Sequence, residues 1–300
     1  MASVTQETIA TGAALGQMTR PARALVGWMS QAESQLTLAG RNIAHANLQP
    51  HVERATATRL AVASREESLG NPPVISEAGP ELAGYITEFT AQPSFDSFRT
   101  EGWQVKVADL SRVCALQPVV FWDHAEERAQ SATPGEMLSL AEVTLPIRRK
   151  PEEIPLQFDQ HRNTWMVVSR NPNLRILGQF NSPVRNERGQ DFIGCGFLFA
   201  ITPSFVQVIS YRGKYLLRDG YHRSLGLLAR GMTHVPVLFR EFGEFENLGL
   251  GPGMLPEQAY LGKRPPLLSD YLNESVSAEI HLPASQKMIV IQGMEMNPLG

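Results

Sequence analysis

The stretch from Lys214 to Phe239, KYLLRDGYHRSLGLLARGMTHVPVLF, constrains the fold more than any other part of the 300-residue chain. Tyr215, Leu216 and Leu217 read as a buried strand that stops at Asp219-Gly220, a dipeptide suited to a tight turn. A helix is expected from Tyr221, with Leu225, Leu228 and Ala229 at i, i+3 and i+4 forming its apolar face. Gly231 suits its carboxyl end, and Val235 to Phe239 reads as a returning strand. Many strands with few, short helices are expected from about 100 to 245. The pattern predicts a mixed α+β domain.

The same turn is where chemistry is expected. A helix amino terminus offers unpaired N–H groups and the positive end of the helix dipole. Gly220 permits close backbone approach, His222 and Arg223 add donors, and Ser224 adds a hydroxyl. Free amides, a guanidinium and an imidazole are what a phosphate or other oxyanion needs. The plainer reading of these residues is that Asp219 caps the helix and Arg223 pairs with a carboxylate.

The rest of the chain fits one or two domains. Residues 1–100 read as a loose leader of about 20 residues followed by helical stretches, Pro21 to Leu38 and Val52 to Leu69. Alternation at Trp103, Val105 and Val107 predicts a strand. Residues 123–142 look helical with a break at Pro134-Gly135. Further strands are expected at Trp165 to Val168, Leu174 to Leu177, Phe192 to Ile201, Phe205 to Ser210 and Lys287 to Gln292. A Gly- and Pro-rich extension, 246–300, is expected to wrap the 101–245 domain.

Composition excludes several classes. Twenty-seven basic against 30 acidic residues leave a net charge of −3, so no broad basic footprint for nucleic acid exists. Arg148-Arg149-Lys150 is followed at once by Glu152-Glu153 and reads as a solvated loop. The longest apolar run, Gly194 to Ile201, falls far short of the ~20 residues that span a bilayer. With no secretory signal pattern at the start, the expected location is cytoplasmic. Cys114 and Cys195 make no metal-ligand pattern and read as reduced core thiols. Asp123, His124, Glu126 and Glu127 are metal-capable types, but their spacing fits an exposed helix face better than a site.

Asp219-Gly220-Tyr221-His222-Arg223, then Gly231, then Val235-Pro236-Val237 resemble the core motif of the ParB/sulfiredoxin-like superfamily. The piece Val105 to Pro118, VKVADLSRVCALQP, is similar to that family's entry strand. About 140 residues are covered, of which some 25 carry the specific match. The resemblance implies a compact mixed sheet with short helices that binds nucleotide phosphates at the helix after the glycine. Carried over by position, Gly220, Tyr221, His222, Arg223 and Ser224 would line the phosphate, and Asp219 would lie beside a transferred group or Mg²⁺. The implied cofactor is a nucleotide, ATP or CTP, with Mg²⁺, and the implied activity is phosphotransfer or NTP hydrolysis.

Two departures narrow this. Tyr221 stands where sulfiredoxins carry their reactive cysteine, so sulfinic-acid reduction is not expected. The partitioning proteins follow this core with a helix-turn-helix reader, whereas here 55 Gly/Pro-rich residues follow position 245, so specific DNA binding is not expected. The alternative from another class is a non-catalytic interaction module that keeps the fold and engages a protein partner through residues 1–100.

Overall fold

The computed structural model describes residues 19–40, 48–67, 74–147, 154, 156–169, 173–185, 189, 191–201, 204–250, 253–283 and 287–292. The leader 1–18, the Arg148-Arg149-Lys150 triplet and the side chain of Cys195 lie outside the described set. Helices and several mixed and antiparallel sheets make an α+β fold. It divides into two units: residues 1–148 with 204–283, and residues 149–203 with 284–300. The boundaries therefore run differently from the segments 1–100, 101–245 and 246–300 read from composition.

In order, the first unit holds β1 (Thr19–Ala24), α1 (Gln31–Ala39), α2 (Gln49–Ala63), β2 (Ile75–Ser76), α3 (Ala83–Thr90), α4 (Asp96–Thr100), β3 (Gln104–Asp109), β4 (Val119–Phe121), α5 (Trp122–Ala129) and α6 (Met137–Thr144). The second unit contributes β5 (Leu156–Asp159), β6 (Thr164–Ser169), β7 (Leu174–Arg185) and β8 (Asp191–Ile201). The first resumes with β9 (Gln207–Tyr211), β10 (Lys214–Asp219), α7 (Tyr221–Ala229), β11 (His234–Glu241), α8 (Glu257–Tyr260) and β12 (Ala278–Pro283), and β13 (Lys287–Gln292) returns to the second.

The first unit is built on a five-stranded sheet in the order β10-β9-β11-β3-β2. Strands β9 and β10 form an antiparallel hairpin turned by Arg212 and Gly213, both at positive φ. The chain then crosses through α7 to β11, which runs parallel to β9 and antiparallel to β3. Buried Val208, Ile209, Leu216, Val235, Val237 and Leu238 come from this sheet, and Leu225 and Leu227 of α7 join the same core. The apolar face of α7 is shifted from the expected one. Leu225 and Leu228 are buried, but Ala229 is exposed, because Tyr221 and Ser224 complete the inward face one turn earlier. Phe89, Phe98 and Phe205 meet edge to face at 5.1 and 5.5 Å, a geometry that favours aromatic pairs beyond their buried area.

A second, three-stranded sheet, β12-β1-β4, overturns the reading of Pro21 to Leu38 as one helix. Residues 19–24 are a central strand, and the helix begins only at Gln31, capped by Ser30 and Glu33 in a reciprocal box. Pro21 is tolerated there because β4 pairs only with Ala22, Arg23 and Ala24. The apolar spacing Leu25, Trp28, Met29, Ala32 and Leu36 imitates a helix face, but Leu25, Trp28 and Met29 are buried ahead of the helix. The 253–283 segment lies along the first unit: Leu255 N–H donates to Leu116 O, Leu268 N–H to Val113 O, and Ala115 N–H to Pro266 O.

The second unit contains the antiparallel sheet β13-β6-β5 and the hairpin β7-β8. Strand β7 continues well past the expected Leu177, to Arg185. Among the described residues no helix is long and apolar enough to cross a membrane.

Candidate functional site

Gly220 opens α7 in the left-handed region, with φ +93°, which only glycine adopts without strain. A Cβ there would sit 2.8 Å from the Val206 Cα, so the position is closed to a side chain by backbone as well. No side chain caps the first turn of the helix. Asp219 does not cap it. Its Oδ1 accepts instead from the Gly220 N–H at 2.6 Å. Burial raises the Asp219 pKa, against the lowering effects of that N–H and of Arg223 and Arg218.

Tyr221 is a structural tie. Its hydroxyl accepts from the Leu116 N–H at 2.7 Å and the Gln117 N–H at 3.3 Å, and donates to Leu217 O at 2.6 Å. Complete burial pushes the phenol far above its ordinary value, so it stays neutral. One hydroxyl thereby joins the end of β10 to the Leu116-Gln117 segment before β4. That segment is part of the family-like entry piece, which the sequence alone could not connect to Tyr221.

Arg223 is also committed inside the protein. It is 8% exposed, and its guanidinium donates from Nη1 to Ser204 O at 2.6 Å and from Nη2 to Ser204 Oγ at 2.7 Å. Arg223, a phosphate ligand by the resemblance and a carboxylate partner on the plainer reading, thus orders the entry to β9. Ser224 is fully buried, and its Oγ has no hydrogen-bond partner among the described residues.

His222 faces a group that sequence spacing did not reveal. Its Nε2 is buried with no hydrogen-bond partner among the described residues, and its ring stands edge-on to His124 at 5.3 Å. His124 and Asp123 belong to α5, which packs against α7. His124 is therefore turned partly inward, while Glu126 and Glu127 keep the exposed face that spacing suggested. Asp123 Oδ2 accepts from Arg20 Nε at 2.7 Å, and His124 Nδ1 lies 3.3 Å from Glu127. Burial lowers the His222 pKa to about 4, helped by His124, Arg128 and Arg20 and opposed by Asp123.

This shift has a stability consequence. The unfolded chain takes up the imidazole proton near the ordinary pKa of about 6.5, the folded chain only near 4. The contribution is therefore complete above pH 6.5 and is lost as pH falls from 6.5 towards 4. It amounts to about 3–4 kcal/mol at 1.36 kcal/mol per pKa unit. Asp219, with a raised pKa, acts in the opposite sense: it favours the fold at low pH and loses that contribution as pH rises. Urea titrations at pH 7 and pH 4.5 should show wild type losing more stability than His222→Phe. Equal losses would mean that His222 does not carry the shift.

The cation next to Asp219 in sequence, Arg218, was missed because it stands inside a strand. Its guanidinium lies 5.3 Å over the Trp103 ring, and Gly249, at φ +62°, leaves room for it: a Cβ there would meet Nη2 at 2.6 Å. Among the described residues no group of three or more His, Cys, Asp or Glu side chains is arranged to hold a metal. Cavities of about 530 Å³ lie elsewhere in the first unit, one lined by Tyr85, Glu88, Leu138, Glu142 and Ile147, another by Arg212, Glu257 and Leu261. Comparison with protein-family models, curated proteins and solved structures gives no match for this chain.

Proposed function

We propose that the first unit binds a nucleotide or another phosphorylated small molecule at the amino end of α7, in the cytoplasm. The observation that carries this reading is the uncapped first turn behind Gly220, beside Nε2 of His222 and Oγ of Ser224, which have no hydrogen-bond partner among the described residues. Such a turn stabilises an anion through backbone N–H groups and the helix dipole. Neutral His222 donates or accepts one hydrogen bond without adding charge. Mg²⁺ needs only one or two carboxylates when phosphate oxygens and water supply the remaining ligands, and Asp219 is the carboxylate on this turn that would bear it. Bound Mg²⁺ would offset the charge between Asp219 and a phosphate. Specific DNA binding is no part of this reading.

A second reading has its own support. Arg223 and Tyr221 spend their polar atoms holding Ser204, Leu116, Gln117 and Leu217, which is what a motif kept for its shape would do. In that case the unit is a non-catalytic interaction module with residues 1–100 as its partner surface.

Thermal shifts with ATP, CTP and pyrophosphate, each with and without Mg²⁺, separate the two. Under the first reading at least one ligand raises the melting temperature, as mass action on the folded state requires. His222→Phe, which removes the buried Nε2 beside the turn, should then weaken that ligand about 2- to 10-fold, the worth of a neutral hydrogen bond. Ser204→Ala, which removes only the hydroxyl partner of Arg223, should leave the affinity near wild type. No shift with any ligand would favour the interaction module, and phosphate release with a bound nucleotide would add turnover to the first reading.

A further inference from the structure

The hairpin β7-β8 in the second unit poses a problem that its own residues do not solve. Two long strands pair only with each other among the described residues, and an isolated two-stranded ribbon is marginal in water. Both faces carry exposed apolar side chains: Ile176, Leu177 and Phe180 on β7, with Ile193, Phe197 and Leu198 on β8. The ring of Phe180 already covers Gly196 across the hairpin, since a Cβ at Gly196 would meet that ring at 2.5 Å. This contact fixes the register Phe180↔Gly196 but leaves the outer edges unpaired.

The two edges are not alike. Strand β7 carries Arg175, Pro183 and Arg185, and charge and proline are the usual means of blunting an edge. Strand β8 has Asp191 at its start and then no charged residue or proline from Phe192 to Ile201. Asp191 is already neutralised by Arg185, 2.7 Å away at the hairpin tip. An open row of N–H and C=O groups along an uncharged strand is a template for another strand of the same length.

We propose that β8 pairs with β8 of a second copy of this chain, antiparallel about a two-fold axis, to make a four-stranded sheet β7-β8-β8-β7. The occupant is a second copy because a two-fold antiparallel pairing is self-complementary: each residue that donates to the partner strand receives the same bond in return. It brings no charge into the pairing, since β8 has none to bury beyond Asp191. It also places Ile193, Phe197 and Phe199 of both copies on one face, where alternation along the strand puts them. The charged, proline-bearing β7 edges stop further addition, so assembly ends at two. This pairing is independent of phosphate binding by the first unit.

Light scattering on the eluting full-length chain should give twice the 33.2 kDa chain mass. Phe197→Lys and Ile193→Lys, both at exposed positions, should each shift it to the mass of one chain, and Gln179→Lys on β7 should not. Nitroxide labels on Ile193→Cys, Phe197→Cys and Ile201→Cys, in a Cys114→Ala/Cys195→Ala background, should give intermolecular distances that grow by about 7 Å for each residue of separation from the two-fold axis, twice the strand rise. A single-chain mass for wild type would overturn the proposal. So would a dimer that survives both β8 lysines, open-ended oligomers, or label distances that stay constant along β8.

Discussion

Gly226→Ala is expected to destabilise the first unit by about 2–3 kcal/mol, the upper part of the usual range for overpacking a filled core. In an exposed helix the same change would stabilise by about 1 kcal/mol, because alanine is the better helix former. The sign reverses here because of what α5 places opposite. A Cβ on Gly226 would sit 2.0 Å from Ala125 O and 2.7 Å from Ala129 Cβ. The first of these is backbone, so no side-chain rotation relieves the clash. Either α5 and α7 move apart or one of them bends. Since α5 carries Asp123 and His124 against His222, separation would also disturb the polar cluster behind the α7 turn. The measurement is the urea midpoint of Gly226→Ala against wild type at constant slope. An unchanged or raised midpoint would mean that the two helices do not approach this closely.

The strand-turn-helix-strand unit was legible from residue types because every signal in it is local. Asp219-Gly220 marks a turn, Gly231 follows the helix end at φ +77°, and alternating apolar residues mark β11. Gly226 was on the page too, an isolated glycine inside a helical pattern, and such a glycine often has a packing reason. What could not be read was the identity of the partners. Leu116 is 105 positions from Tyr221, and Ala125 is about as far from Gly226, so no periodicity links either pair. Ser204, which takes the guanidinium of Arg223, is nearer in sequence but sits in the loop before β9, where no pattern announces a partner.

The candidate site was legible in part for the same reason. The turn glycine and its helix could be placed, but the roles of the residues on it depended on long-range packing. Tyr221 and Arg223 were expected to line a phosphate, and their polar atoms hold backbone and a serine. Burial decided this, since a tyrosine or arginine removed from water must satisfy its polar atoms nearby. His124 was set aside on spacing alone, although α5 brings it edge-on to His222. Pro21 misled in the opposite direction: proline at a first helical position is common, and its tolerance in β1 depends on which side β4 leaves unpaired.

Arg65→Ala is expected to cost about 3–5 kcal/mol, the usual consequence of stranding one member of a buried ion pair. The Arg65 guanidinium meets Asp270 with both nitrogens, Nη1 to Oδ2 at 2.8 Å and Nη2 to Oδ1 at 2.6 Å. It also lies 5.1 Å over the Trp28 ring. Asp270 is 4% exposed, and its Oδ2 additionally accepts from the Leu267 N–H at 2.8 Å. Removing the arginine leaves a carboxylate out of water with one neutral donor, which does not offset its desolvation. The pair also connects distant parts of the chain, Arg65 just after α2 and Asp270 in the turn ahead of β12. Denaturation should therefore become easier for the first unit as a whole, by circular dichroism and by Trp fluorescence alike. The Arg65→Ala/Asp270→Asn double variant tests the cause, because asparagine keeps an acceptor for Leu267 without a charge to bury. If the stranded charge is responsible, the double variant recovers a good part of the loss and the cycle shows strong coupling. Additive losses in the two single variants would assign the effect to the packing of Arg65 on Trp28 instead.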